Sequence, residues 1–174
     1  MKAGMMALAL ALCGWCGSHA VGADDGSHVH VGVGARYWMT IDKLDNGNFD
    51  ENGVSWLATC QLRSGALVKF EFDLEWMQDG FMGSPEQVYA PQAFVLVGSA
   101  IYAAAGVGIY YTDGEFADEP FYALRAGLDL ELLPGLSLDV NAIYFFNEWA
   151  QLDAPGSDID TDTVMLGAAV RMKL

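Results

Sequence analysis

The segment Leu67–Met77, with the sequence LVKFEFDLEWM, decides how the rest of the chain is interpreted. Every second residue from Val68 to Trp76 is apolar, and every residue between them, from Lys69 to Glu75, is charged. Successive side chains of a β-strand point to opposite faces, so this pattern predicts a strand with one apolar and one charged face. If the apolar face pointed inward, the fold would be a soluble sandwich or ligand-binding barrel. If it faced lipid, the charges would fill the interior of a transmembrane β-barrel.

The N-terminal segment has the composition of a secretory signal peptide. Lys2 gives it a positive start, residues 3–16 are uncharged and largely apolar, and small residues precede Ala23. We expect cleavage after Ala23. That cleavage would divide the chain into a signal peptide over residues 1–23 and one domain over residues 24–174.

The exported domain is predicted to be strongly acidic and to hold one cysteine. The whole chain of 174 residues has 23 acidic and 8 basic residues and a net charge of −15. This balance argues against nucleic acid as a partner. Cys13 and Cys16 would leave with the signal peptide, and Cys60 lies on the apolar face of a predicted strand. We therefore expect Cys60 to be a buried thiol.

Eight segments have strand character, and the connections between them alternate between long and short. The long connections are rich in Asp, Asn and Gly, which favour turns. This rhythm predicts an all-β protein, an eight-stranded antiparallel up-and-down transmembrane β-barrel with both termini on the periplasmic side. The predicted strands are Val29–Ile41, Val54–Arg63, Leu67–Met77, Gln92–Gly98, Ile101–Thr112, Phe121–Glu131, Leu136–Asn147 and Thr163–Leu174.

The segment Ala93–Tyr111 has no charged residue and is long enough for a transmembrane helix. Its glycines, β-branched residues and aromatic residues instead favour a hairpin of two strands. The pattern does not determine which face of the fourth strand points outward.

All charged residues within the predicted strands fall on the parity opposite to the apolar residues. Six of them are cations and six are anions. Unpaired charges in a closed interior are costly and must be matched, so this balance predicts an interior ion-pair network. Its predicted members are Arg36, Arg63, Lys69, Glu71, Asp73, Glu75, Arg125, Asp129, Glu131, Asp139, Arg171 and Lys173. Glycines on the same parity, such as Gly127 and Gly167, would leave room for these side chains.

Aromatic residues cluster where the predicted strands meet the long connections. Amphipathic rings at one level around a barrel form the girdle that is typical of a membrane interface. The predicted girdle consists of Tyr37, Trp56, Trp76, Phe94, Tyr111, Tyr122, Tyr144 and Phe146.

Residues 27–174 resemble the small eight-stranded outer-membrane barrels, of the kind found in the OmpA transmembrane domain and OmpX. The resemblance rests on the segments YAAAGVGIYY (Tyr102–Tyr111), YALRAGLDLELLPGLSLDVNAIYFF (Tyr122–Phe146) and VMLGAAVRMKL (Val164–Leu174). It is a pattern of alternation rather than a motif. Members of this family usually end in an outward aromatic residue that resembles a signal to the assembly machinery, and here Leu174 replaces it.

The resemblance implies an integral protein of a Gram-negative-type outer membrane, without cofactor or catalytic residues. Its implied role is structural, adhesive or in surface interaction through acidic extracellular loops. The implied partners are outer-membrane lipid, lipopolysaccharide and, through the C-terminal strand, the barrel-assembly machinery. Because side chains fill such a narrow lumen, we expect no large pore.

Two other functional classes stay open at this point. A lipid-modifying barrel enzyme would need a base near a nucleophile, and His28 and His30 are the histidines of the predicted domain. These two histidines share one face, but two ligands are a weak metal signal, and pairing with nearby acids is the favoured interpretation. A soluble lipocalin-like barrel would need the apolar faces inside and the charges outside.

The last long connection contains three carboxylates at alternate positions, Asp158, Asp160 and Asp162. Hard oxygen ligands at this spacing are able to bind Ca²⁺ or to bridge through divalent cations to lipopolysaccharide. The segment lacks the glycine and the terminal glutamate of a helix-loop-helix calcium site. A solvated acidic loop is therefore the favoured interpretation.

Overall fold

The alternating segments form the walls of a β-barrel. The computed structural model describes residues 28–40, 52–65, 67–78, 81, 86–146 and 163–174. Within these residues there are eight long strands and two short ones. They are β1 (His28–Thr40), β2 (Asn52–Ser64), β3 (Val68–Met77), β4 (Val88–Gly98), β5 (Ile101–Gly108), β6 (Tyr111–Thr112), β7 (Glu115–Phe116), β8 (Phe121–Leu133), β9 (Leu136–Phe146) and β10 (Thr163–Lys173).

The eight long strands close into one antiparallel barrel. Each pairs with its neighbour along the chain, β5 pairs with β8, and the pairing of β1 with β10 closes the ring. The short strands β6 and β7 form a ribbon that continues from β4 through the pair Tyr89 and Tyr111. Asp113 and Gly114 both have positive φ, 51° and 90°, as a two-residue hairpin turn requires. The predicted fold class is confirmed.

The alternation on β3 shows which face is outside. Phe70 and Phe72 are 43% and 50% exposed on the outer wall, whereas Lys69 and Glu71 are 4% and 0% exposed in the interior. A water-facing wall would have the opposite arrangement. The hypothesis of a soluble lipocalin-like barrel is therefore wrong.

The exposed apolar band has the height of a membrane. On β8 it runs from the ring of Tyr122 to Leu132, which is 54% exposed. At about 3.3 Å per residue and a tilt of about 40°, this stretch rises about 25 Å along the barrel axis. That is the height of the lipid-facing band of outer-membrane barrels.

The uncharged segment Ala93–Tyr111 forms strands, so the alternative of a transmembrane helix is wrong. No helix among the described residues is long and apolar enough to cross a membrane. β4 begins at Val88, four residues before the predicted start, and β5 ends at Gly108 instead of Thr112. The β4–β5 ladder ends at the pair Gln92 and Gly108, next to Pro91, which has no backbone N–H to continue it.

Glycines on the inward face make room for large interior side chains, as predicted. A Cβ atom on Gly167 would lie 2.7 Å from Cγ of Arg36, and one on Gly127 would lie 2.6 Å from the hydroxyl of Tyr102. Real Cβ atoms do not approach so closely. Any larger residue at these positions would displace the side chain beside it.

Candidate functional site

The middle of the barrel holds a cluster of fully buried ion pairs. The carboxylate of Glu71 on β3 forms ion pairs with Nη2 of Arg125 at 2.7 Å and with Nη2 of Arg171 at 2.9 Å. Arg171 also lies 3.0 Å from Asp139, which accepts a 2.7 Å hydrogen bond from the hydroxyl of Tyr102. Side chains from β3, β5, β8, β9 and β10 therefore meet across the barrel axis, and each charge has an opposite charge beside it.

Arg36 extends this central cluster toward the long connections. Its guanidinium lies 2.8 Å from Asp73 and 2.6 Å from Glu75. Gln92 donates to Glu75 at 2.8 Å, and the Ser55 hydroxyl also donates to Glu75. The carboxylates are thus held by ion pairs and by neutral donors, which offsets the cost of removing them from water.

A second ionic group lies toward the short turns. Arg63 and Lys69 both contact Oδ2 of Asp129 at 2.8 Å, and Lys69 also donates to the carbonyl of Ser99 at 3.0 Å. Gln61 connects the two groups, because it accepts from Nε of Arg63 at 2.7 Å and donates to the Glu71 carboxylate at 2.6 Å.

The structure brings ten of the twelve predicted network residues into these two groups and leaves two outside. Glu131 and Lys173 lie on the inward parity but are exposed at the rim. Glu131 accepts a hydrogen bond from the backbone N–H of Gly135 in the adjoining turn instead of an ion pair with the network. Placing these two residues in the interior network was wrong. Both lie near the ends of their strands, where a side chain on the inward parity reaches the open rim of the barrel and not its interior.

An aromatic plug closes the interior above the ion pairs, on the side of the long connections. Neighbouring ring centroids are 5.0 Å (Trp38–Phe81), 5.7 Å (Phe81–Tyr110), 4.4 Å (Tyr110–Phe121) and 5.1 Å (Phe121–Phe145) apart. Burial in this plug raises the pKa of the Tyr110 phenol above its usual range. Sequence reasoning missed the plug, although the inward parity of its strand residues was a signal for it.

Seven of the eight predicted girdle residues lie on the outward parity of their strands, and three of them are well exposed. Trp56, Tyr37 and Trp76 are 52%, 43% and 40% exposed on the outer wall. The other predicted members on this wall are partly or fully covered: Tyr111, Tyr122 and Tyr144 are half-buried, and Phe146 is 1% exposed with its ring 5.8 Å from those of Tyr122 and Tyr144.

Phe94 does not belong to the girdle, and that assignment was wrong. Its side chain is 3% exposed inside the barrel, where the guanidinium of Arg125 stacks 4.4 Å from the ring centroid. Tyr89 takes the girdle position of β4, with its ring stacked 6.5 Å from Trp76. The prediction missed Tyr89 because it began this strand after Pro91.

The candidate metal and catalytic residues are only partly described. Asp158, Asp160 and Asp162 lie outside the described residues. Within the described part of the chain, no group of three or more His, Cys, Asp or Glu side chains is placed to hold a metal ion. His28 is exposed, and His30 is buried, with no hydrogen-bond partner for its Nδ1 atom among the described residues. The pairing of these histidines with acids stays a prediction.

These features define the protein class: a membrane-spanning β-barrel of eight strands with an apolar outer wall, an aromatic girdle at one level and a charged, filled interior. The chain has the fold of the small outer-membrane barrels. Barrels of this form span bacterial outer membranes, and the fold therefore places the chain there.

Comparison with solved structures agrees with this class. The barrel is similar to Neisserial surface protein A (NspA), with a TM-score of 0.56 and 15% identity over 86% of this chain and 97% of that one. It is also similar to the N-terminal β-barrel domain of OprF from Pseudomonas aeruginosa, with a TM-score of 0.53 and 12% identity over 86% and 98% of the chains. At these identities the likeness concerns the fold.

A third similar structure is the outer membrane protein Ail of Yersinia pestis in a phospholipid bilayer nanodisc. Its TM-score is 0.44, with 16% identity over 84% of this chain and 99% of that one. No family model and no curated protein sequence matches the chain.

Proposed function

We propose that the protein is a non-enzymatic, non-conducting outer-membrane barrel that presents acidic extracellular loops for structural or adhesive contacts. The observation that carries this proposal is the closed interior. The side chains of Arg36, Asp73, Glu75, Arg125 and Glu71 are all 0% exposed, and the aromatic plug lies above them. An ion crossing the barrel would have to separate several buried pairs, each of which is costly to break.

The described loop beyond β6 supports a surface role. Asp113, Glu115, Asp118 and Glu119 are all exposed at the end of the barrel that carries the long connections. Like charges gathered on a surface attract cationic partners and repel anionic ones, and they control the rate of encounter more than the final affinity. The loop therefore favours a basic or cation-bridged partner over direct contact with the phosphates of lipopolysaccharide.

The outer wall, the acidic loops and the C-terminal strand each have a proposed partner. Outer-membrane lipid surrounds the wall. Lipopolysaccharide is bridged to the loops by divalent cations, for which Asp158, Asp160 and Asp162 are the proposed ligands. The assembly machinery engages the C-terminal strand β10, in which Ala168, Val170 and Met172 point outward, and Leu174 just after it keeps the same parity.

The closed interior predicts that purified protein in a planar lipid bilayer gives no stepwise ion conductance. Single-channel recording of the refolded barrel is the measurement, and a general porin in the same lipid is the positive control. Stable open steps from protein whose correct folding is shown by slower migration after boiling would contradict a non-conducting role.

The acidic loops predict a calcium effect that depends on their charge. We expect millimolar Ca²⁺ to raise the thermal stability and to slow loop proteolysis, because a bound cation stabilises the folded state by mass action. The triple variant Asp158→Asn, Asp160→Asn, Asp162→Asn should lose this response. The matched control neutralises Asp113, Asp118 and Glu119 instead. If Ca²⁺ has no effect on the unmodified protein, the cation-bridged contact is excluded.

The non-enzymatic assignment has its own test. Purified barrel reconstituted in outer-membrane lipid should leave the acyl chains and headgroups unchanged by mass spectrometry. A lipid-modifying activity that His28→Gln together with His30→Gln abolishes would overturn the assignment.

A further inference from the structure

Basic side chains form a half ring at the barrel mouth formed by the short turns. They come from four neighbouring strands, β10, β1, β2 and β3, and all lie on the inward parity. The register pairs His30 with Lys173, His28 with Arg63, and Arg63 with Lys69. We call this set of residues, Lys173, His28, His30, Arg63 and Lys69, the basic mouth.

Two cations of the basic mouth share one carboxylate. Like charges directly opposite one another on paired strands are destabilising, and Arg63 and Lys69 form such a pair. Both contact the same oxygen of Asp129. Glu131, the other acid on the inward parity at this rim, accepts from Gly135 in its own turn. The central cluster higher in the barrel contains four carboxylates for three guanidinium groups, so the sharing of one carboxylate by two cations is particular to the mouth.

One polar atom in the basic mouth also lacks a partner within the described chain. His30 is 6% exposed, yet its Nδ1 atom has no hydrogen-bond partner there. The register places His30 opposite Lys173 on β10 and opposite Gln61 on β2. Unpartnered buried atoms also occur in the central cluster, for example Nε of Arg36 and Nε of Arg125, but His30 differs from these in lying next to the opening, where a bound group would satisfy its Nδ1 atom.

The mouth is accessible from the periplasmic side. The Arg63 side chain retains 24% exposure although it contacts Asp129, and His28 and Lys173 are exposed at the rim. Nε and Nη2 of Arg63 bind Gln61 and Asp129, which leaves Nη1 for a ligand at the rim. Guanidinium and ammonium groups are the ones that proteins use to bind phosphate and carboxylate.

We propose that the basic mouth binds an oxyanion, a phosphate or a carboxylate, on the periplasmic side of the barrel. Arg63 and Lys173 provide the accessible positive charge, His30 provides a hydrogen-bonding nitrogen, and Asp129 holds Arg63 and Lys69 in place. The anion comes either from a soluble periplasmic molecule or from a phospholipid headgroup that reaches around the rim. This site is at the opposite end of the barrel from the acidic loops, so its failure would leave the proposed surface role unaffected.

The test is a titration of the refolded protein, in phosphate-free dodecyl maltoside micelles, with inorganic phosphate at constant ionic strength. NMR signals of the His30 ring and of the Arg63 and Lys173 amides should shift and saturate. Arg63→Gln and Lys173→Gln should each weaken binding about tenfold, since each removes one charge-assisted contact. Lys43→Gln makes the same charge change in the first long connection and should bind as the unmodified protein does.

A second arm distinguishes the sources of the anion. If micelles doped with lyso-phosphatidylglycerol shift the same signals without added phosphate and reduce its binding, the ligand is a lipid headgroup. If they do not, it is a soluble anion. Shifts that do not saturate, that sodium chloride reproduces, or that persist unchanged in Lys173→Gln would overturn the proposal. Because Lys173 is exposed, that variant tests the site even if Arg63→Gln fails to fold.

Discussion

Glu71→Gln is expected to lower the free energy of unfolding of the barrel by about 3–5 kcal/mol, the cost of breaking a buried ion pair from one side. The Glu71 side chain is fully buried and contacts Arg125 at 2.7 Å and Arg171 at 2.9 Å. A neutral amide would leave both guanidinium groups in the interior with less compensating charge. Urea unfolding in detergent micelles, followed by tryptophan fluorescence, measures the change.

Glu131→Gln is the matched control for this prediction, because it makes the same chemical change at the rim. Glu131 is exposed, and substitutions at such positions change stability by about 0.5 kcal/mol or less. Equal losses in the two variants would show that the interior ion pairs do not stabilise the barrel as described.

Phe72→Lys is expected to destabilise the barrel in a phospholipid bilayer by about 2–4 kcal/mol, the cost of a lysine on the lipid face near the bilayer midplane. Phe72 is 50% exposed and lies midway between Val68 and Trp76 on the outer wall. The ammonium would have to enter the acyl chains or draw water toward them. Equilibrium unfolding in lipid vesicles provides the measurement.

Leu174→Lys is the control for depth, since a lysine near the interface costs about 0–1 kcal/mol. Leu174 is 70% exposed at the end of the chain beyond β10, so a lysine there reaches water. If Phe72→Lys left the free energy of unfolding unchanged, this wall would face water, which would contradict a membrane-spanning barrel.

The sequence predicted most of the fold because charge follows one parity along the strands. On β3, Lys69, Glu71, Asp73 and Glu75 alternate with apolar residues. In a membrane the charged face of such a strand has to point into the barrel, because the other face contacts lipid. The balance of cations and anions then indicated ion pairing, because buried charges must be matched.

The facing of the fourth strand, β4, could not be predicted from its sequence. Its residues are apolar on both parities, so hydropathy cannot separate the inward Phe94 and Leu96 from the outward Val95 and Val97. Contacts with other strands determine which face of β4 points inward. The guanidinium of Arg125 in the interior stacks on the ring of Phe94, which stabilises the inward position of that ring.

Parity gives the side of a wall but not the depth along it. Glu131 and Lys173 have the inward parity and still lie at the rim, where water solvates them. Depth also separates the ionic middle of the lumen from the aromatic plug, since Trp38 and Phe121 share the inward parity with Arg36 and Arg125. The long-range register that sets depth is not visible in local alternation.

The central claim is that apolar side chains on the outer wall face acyl chains while the interior is sealed from lipid and water. NMR of methyl groups in nanodiscs containing doxyl-labelled phospholipid tests it without any substitution. We expect strong broadening of the methyl signals of Val33 and Val95, which are 69% and 45% exposed, and little broadening for Leu57 and Leu96, which are 5% and 0% exposed. Broadening of Leu57 and Leu96 by the lipid label, or of Val33 and Val95 by a water-soluble gadolinium chelate instead, would contradict the account.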